Sequence, residues 1–526
     1  MENFSNKDKD VFILKMPRMI DRGALLSRYS RTSSLDIRTL YEKEFLNNDR
    51  RAEDFYRRVF LEYGDESVSE LVTVQLGIQN VSNVASQVIE DSRIGLSYLE
   101  KSSRYVSYSR KVNGEYLYAH PDRIGLDGHL SSEYVALCDD LFNFYTESLD
   151  GARKYYEKKH PIESINFSDT NDQRFIEDLT PEELEVARKS YDSAVRARSL
   201  DDARFLLPAS TLTNLGISGN GRSFIYLIQR LEAYGLRETT TLADDVYNEL
   251  KSELPELIDA ARNHHGLERT KYLSELQNLY LHKEFMPKIS KLVDLVDYDE
   301  EKVALARSAG RVNIYFGDGT SQPGGDRNRN DDRVAETLLN LVNLRKNRRD
   351  RVPRFFENVN YTFIINTNFG AFRDFHRHRF FSILRGLLTC SGIYDTPEYF
   401  SSDEGILTEF NKLMERSRQL YFKIRDSKGK LISQYVVPFA YRYPVIASSN
   451  LREITHFIEL RSTPQAHFDM RRISMAMLEE IERVHPLLAR VVKYADRNQY
   501  ALGRLRSEQR KEKKMQSLGE KKGHLA

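Results

Sequence analysis

The 526-residue chain contains no tryptophan and only two cysteines, Cys138 and Cys390. Two thiols cannot build a disulfide framework or a multi-cysteine zinc site, and they suit a reducing compartment. Charge of one sign is also missing: 79 Lys and Arg stand against 78 Asp and Glu, a net of +1. A protein made chiefly to coat nucleic acid would carry a clear basic excess. No run approaches the ~20 apolar residues of a membrane helix, and the apolar stretch Tyr435–Ile446 is short and interrupted by Arg442. The opening MENFSNKDKD has no apolar core of the signal-peptide kind. These absences lead us to expect a soluble cytoplasmic protein. Cofactor and metal signatures are lacking too: there is no GxGxxG after a strand, no GxxxxGK[ST] and no HExxH. GISGNG (216–221) is too short a glycine signal to name a ligand, and no metal is expected.

What is present fits a folded globular chain, with 40% apolar and 30% charged residues and a length of two to four domains. Phe55, Val59 and Phe60 mark one helix face within 54–62. The alternation of Val72, Val74, Leu76 and Ile78 predicts a strand over 70–78, and 97–108 reads as extended. Helical patterns run over 132–158 and 181–199. Residues 309–332, containing GDGTSQPGGDRNRND, read as a loop or linker. From Arg504 onward eight Lys or Arg face three acids, a solvated helix end or a disordered tail.

The two sides of that break are alike. ELVTVQLGIQNVSNVASQVIEDSR (70–93) pairs with ENVNYTFIINTNFGAFRDFHRHR (357–379), one residue shorter, and TLADDVYNELKSELPELI (241–258) pairs with RISMAMLEEIERVHPLLA (472–489). Between them lie LLP (206–208) with NGR (220–222), and VVP (436–438) with NLR (450–452). Four blocks in the same order imply an internal duplication.

Three clusters carry chemistry. Arg377-His378-Arg379 is a cationic fork suited to phosphate or an electron-rich ring. A surface salt-bridge patch is the alternative, but Phe380, Phe381, Ile383 and Leu384 around Ser382 imply partial burial. Glu100, Ser102 and Arg104 would project from one face and grip a phosphorylated, hydroxylated ligand if the segment is extended, and equally form a polar edge strand. In the third, Asn450 and Glu453 resemble a capping box that opens a helix. Leu451, Ile454 and Ile458 make its apolar stripe, and Arg461 falls on that stripe, costly unless an anion meets it. Arg452, His456 and Glu459 line another face. Thr463-Pro464 reads as the cap and first residue of the next helix. Cys390, near the fork, reads as a buried inert thiol.

In this order the clusters resemble the flavin-dependent thymidylate synthases, over roughly 54–258 and 333–490. The resemblance implies an α+β fold of two tandem domains, each a small, mostly antiparallel sheet packed with long helices. The domains would be 16–298 and 299–503, followed by a basic tail at 504–526. It implies reductive methylation of dUMP to dTMP, with FAD as cofactor and NADPH and methylenetetrahydrofolate as co-substrates. Arg377, His378, Arg379, Asn450, Arg452 and His456 would contact FAD. Glu100, Ser102, Ser103, Arg104, Arg204, Arg377 and Arg461 would hold dUMP, Arg461 being the activating residue. The halves differ in a complementary way. The first has Asp91-Ser92-Arg93 in place of the arginine triad and Leu231 in place of the activating arginine. The second has Gln434 where the phosphate-binding arginine would stand, and Ser391-Gly392-Ile393-Tyr394 lacks its arginine. Each half keeps what the other lost, which implies a composite site between an N-type and a C-type half and an empty degenerate one. A homodimer would then make a pseudo-tetramer, with no membrane or nucleic-acid partner. Asp374 stands where the family has a Gln, Leu71 where a His follows Glu, and four extra residues follow Ser382. Three rivals stand beside this reading: a flavoenzyme for another pyrimidine nucleotide, which Asp374 would favour; a non-catalytic nucleotide-binding protein; and nucleic-acid binding through the basic tail, which the near-zero net charge fits poorly.

Overall fold

A computed structural model describes residues 3–523, except 31, 33–35, 47, 49, 64–65, 93, 169–171, 289–290 and 317–337. Two antiparallel sheets organise it. The first has the order β1-β3-β2, from Thr73–Ser82 (β1), Leu96–Glu100 (β2) and Leu212–Asn220 (β3). The second has the order β4-β5-β7-β6, from Val293–Tyr298 (β4), Asn360–Asn368 (β5), Ser382–Arg385 (β6) and Arg442–Asn450 (β7). Of the long helices, Phe468–Val484 packs on β4 and β5, while Gly128–Lys159 packs against Pro181–Ala203 and Glu404–Lys428. Each half is thus a small antiparallel sheet with helices, the expected α+β architecture.

Repeated sequence blocks have repeated structural jobs. Asn220 and Asn450 each end a central strand and cap the following helix, accepting from Ser223 N at 2.9 Å and Glu453 N at 3.0 Å. Ser82 and Asn368 do the same after β1 and β5. Such side chains satisfy amides that have no partner inside the helix. The extra residue in the first half lies at a bulge: the β1–β3 register slips between Ile78 and Val81, where Asn80 has φ 55°. The LLP and VVP blocks form the seam between halves. Ala209 N donates to Val437 O at 2.8 Å and Phe439 N to Leu207 O at 2.9 Å, while Ser210 N reaches Tyr435 O and Ala440 N reaches Phe205 O. These contacts are reciprocal, as across a two-fold axis, so the halves pack like two subunits of a dimer.

Several local expectations shift. The first strand begins at Thr73, since Glu66–Leu71 is a 3₁₀ turn. β2 stops at Glu100, and Tyr105 N and Val106 N both turn back to Ser102 O. Ser102 and Arg104 therefore do not continue a strand face with Glu100. The helix Glu301–Phe316 occupies the start of the expected linker, whose remainder, 317–332, falls outside the described residues. β4 precedes the expected boundary at 298/299 yet pairs with β5. Thr463-Pro464 is a turn, and the next helix starts at Phe468 with His467 as its cap. Phe380 and Leu384 are exposed, and Phe381 alone of the flanking aromatics is buried. The basic tail is the helix Leu505–Gly523, packed on Pro181–Ala203. No described helix is long and apolar enough to cross a membrane.

Candidate functional site

Residues from both halves of one chain meet beside the seam. Arg373, on the helix that leads to the arginine triad, donates to Glu100 Oε1 at 2.6 Å and to Ser103 Oγ at 3.3 Å. Arg377 reaches the other oxygen of Glu100 at 3.5 Å. Arg204 bonds Asp374 at 3.5 Å. Arg461 donates to the backbone oxygen of that same Asp374 at 3.0 Å and to His378 Nε2 at 2.8 Å. Accepting at Nε2 fixes His378 as the Nδ1–H tautomer, and Nδ1 lies 3.8 Å from Glu453. Arg104 is bidentate to Asp201, at 2.8 and 3.0 Å, and touches Gln465 O at 3.4 Å. Ser102 Oγ accepts from Arg104 N at 3.3 Å. Glu100, Ser102, Ser103, Arg104, Arg204, Arg377 and Arg461, proposed from sequence as one group, are thus neighbours.

Charge is concentrated here. Burial alone would raise the Asp374 carboxyl, but Arg204, Arg104, Arg377 and Arg461 outweigh it and hold it well below the usual range. Arg461 is pulled down by burial; Asp374 counters that, while Arg377 and Arg104 add to it. Its direct partners are an imidazole and a peptide oxygen, so no carboxylate among the described residues cancels its charge by a direct hydrogen bond. That arrangement can stabilise negative charge developing on a bound ring.

A cleft of about 630 Å³ opens next to this group, lined by Arg377, His378, Arg379, Asn450, Arg452 and His456 together with Arg461. All six residues expected from the resemblance to hold the cofactor therefore line one cleft. Asn450 spends its side-chain oxygen on the helix cap, and Arg452 anchors a neighbouring loop through Val352 O at 2.7 Å and Glu357 at 3.0 Å. That loop supplies what the sequence reading missed, since Arg345, Arg348, Arg351 and Arg354 line the same cleft. The signal was the dense basic run itself. Arg373, Asp201 and His467 were missed because only tertiary packing brings them in.

The pseudo-equivalent position on the other side of the seam is closed. Glu100 pairs with Leu215 on β3, and Arg385 pairs with Val445 on β7, each five residues before the capping Asn. Arg377 and Asp91 each lie nine residues beyond the residue that caps their helix. Where the first site has Arg377 facing Glu100, the second has Asp91 paired with Arg385, the charges exchanged. Asp91 also meets His376 at 3.0 Å. Gln434 is fully buried, accepting from Leu388 N at 3.1 Å and donating to Tyr234 Oη at 3.4 Å, and Leu231 is core. Cys390 is buried too, its thiol pushed well up by that burial. Of the degenerate triad, Arg93 lies outside the described residues.

Comparison with known proteins follows the same two-part pattern. Residues 21–256 and 294–487 match the family described as thymidylate synthase complementing protein. The chain is 49% identical over 494 residues to UPF0159 protein Ta1429 of Thermoplasma acidophilum, a match that covers 94% of this chain and 99% of that one. It is 34% identical over 534 residues to a UPF0159 protein of Chlamydia muridarum, 96% of each chain. A flavin-dependent thymidylate synthase of Sulfurisphaera tokodaii is 33% identical over 82 residues, 15% of this chain and 32% of that one. With matched stretches in both halves and related chains of full length, this protein belongs to the thymidylate synthase complementing protein family, as a fused pair of diverged domains.

Proposed function

We propose that the chain is a flavin-dependent thymidylate synthase that converts dUMP to dTMP at one composite site. The observation that carries this reading is the meeting of the two sets of surviving residues. Glu100, Ser103 and Arg204 of the first half touch Arg373, Arg377 and Asp374 of the second, and Arg461 closes on Asp374. Random decay of a pseudoenzyme has no reason to divide its losses so that one intact set survives at one place.

Arg104, Arg204, Ser102 and Ser103 hold the nucleotide's phosphate and sugar end. Arg461, whose charge no described carboxylate quenches directly, faces the uracil and favours the electron-rich form of the ring from which the C5 proton leaves. No protein nucleophile is required, in keeping with two buried cysteines. The cleft fits FAD in chemistry: eight arginines against three acids suit a pyrophosphate, and its size falls within the ~300–1,000 Å³ of ligand pockets. Arg377, His378, Arg379, Asn450, Arg452 and His456 would hold it. When bound, that cofactor, reduced by NADPH, supplies the hydride, and methylenetetrahydrofolate the carbon. Leu99 and Leu384 are exposed on the outer strands β2 and β6, a surface suited to a second copy of the chain and a pseudo-tetramer.

Tritium release from 5-tritiated dUMP tests this, with FAD, NADPH and methylenetetrahydrofolate present and Arg461→Ala run beside the wild type. Release in the wild type that disappears in the variant supports the assignment. No release from folded protein that binds FAD overturns it. Asp374 favours a second reading, because an ionised carboxylate only accepts hydrogen bonds where the family's Gln also donates. That suits a pyrimidine that presents an exocyclic amino donor, as cytosine does, and product analysis with cytosine and uracil nucleotides separates the two.

A further inference from the structure

Six guanidiniums crowd three carboxylates at this site. Arg373 and Arg377 share Glu100, Arg204 and Arg461 share the surroundings of Asp374, and Arg104 shares Asp201 with Arg504. Arg504 comes from the start of the tail, beyond both family-matched stretches. It lies over the Tyr105 ring at 4.2 Å, donates to Arg104 O at 3.4 Å and stands 3.9 Å from Asp201. It is 6% exposed and Arg204 2%. Both nevertheless leave Nε and Nη2 without a hydrogen-bond partner among the described residues. Burial and Arg204 push the pKa of His467 well down, so its imidazole stays neutral and adds nothing to the positive charge. Buried donors of this kind are costly to leave unmade and rare in native proteins. Four such donor atoms on two arginines, beside an excess of positive charge, describe a place for an anion. Arg104, Asp201 and Arg504 also line a cleft of about 890 Å³ that opens to solvent, giving an anion a way in.

We infer that Arg504 is a ligand-binding residue, supplied by the tail, that holds the phosphate monoester of the nucleotide together with Arg104 and Arg204. The inference rests on the nucleotide reading above, and it explains why the carboxy-terminal helix docks where it does, since packing on Pro181–Ala203 carries Arg504 to the site. A phosphate dianion supplies the two charges that Asp201 and Asp374 cannot, and its oxygens accept from the idle Nε and Nη2 groups.

Calorimetric titration of the full chain with dUMP, deoxyuridine and inorganic phosphate tests it, in the wild type, Arg504→Gln, Arg504→Lys and the exposed control Lys511→Gln. Arg504→Gln should weaken dUMP by about tenfold or more, the worth of a charge-assisted hydrogen bond. Arg504→Lys should lose less, and the control and all deoxyuridine titrations should match the wild type. Unchanged dUMP binding in Arg504→Gln overturns the inference. So does a parallel loss of dUMP and deoxyuridine, which would make Arg504 a structural strap. If the wild type binds inorganic phosphate but neither nucleoside nor nucleotide, and Arg504→Gln abolishes that binding, the anion site stands while the nucleotide reading falls. A wild type that binds none of the three overturns both.

Discussion

Asp91→Asn removes one negative charge from the closed pseudo-site and leaves the shape of the side chain intact. Arg385, whose side chain is 4% exposed, then loses its carboxylate partner and is left with one amide oxygen and the Tyr443 hydroxyl at 3.2 Å, while His376 keeps Glu90 at 3.5 Å. Removing one partner of a buried ion pair leaves the other charge uncompensated, which costs about 3–5 kcal/mol. Urea unfolding of the two proteins at neutral pH reads the difference. The pH dependence has a definite sign. Burial raises the Asp91 carboxyl, but Arg385 and His376 overcome this and hold it well below the usual range. Its stabilisation is therefore fully present above the unfolded aspartate value of ~3.9 and fades as pH falls toward the folded value. The gap between wild type and Asp91→Asn should narrow on acidification. The double variant Asp91→Arg with Arg385→Glu rebuilds the Arg377–Glu100 arrangement of the open site and should recover more than half of the loss. A cost below about 1 kcal/mol, a gap that widens in acid, or a double variant no better than either single one would refute the view that this ion pair took over a vacated pocket.

Asp374→Asn should destabilise the ligand-free protein by about 3–5 kcal/mol, because Arg204 loses the carboxylate it bonds. Phosphate should then raise the melting temperature of the variant more than that of the wild type; an equal or smaller rise would contradict this charge balance. Burial pushes the Cys138 thiol to about 12 and Cys390 well up, so neither should react with a thiol reagent at neutral pH until the protein unfolds. Rapid labelling of the native protein would show that one of them is accessible.

Much of this molecule is written locally. The helices expected over 132–158 and 181–199 are present as Gly128–Lys159 and Pro181–Ala203, the latter opened by Thr180, Pro181 and Glu183 as a capping box. Periodicity and caps act within a turn or two, so sequence alone reveals them. The duplication was legible for the same reason: Asn220 and Asn450, or Leu207 and Val437, repeat because each half must make the same cap and the same seam. Local signals also misled. Thr463-Pro464 has the chemistry of a helix start, yet the chain turns there and lets Gln465 O approach Arg104.

The sequence by itself determined that there are two halves and which functional residue types each retained. Only the tertiary structure decided that the two sets meet inside one chain, with Arg377 beside Glu100, which lies 277 residues away. It also decided that Asp91 pairs with Arg385 in the other pocket, and that the tail returns Arg504 to Arg104, 400 residues earlier. Pairings of this kind depend on how the halves dock around the Leu207–Ala209 and Val437–Phe439 ladder. No periodicity within either half encodes that docking, because its partners lie hundreds of residues apart and touch only once both sheets have formed.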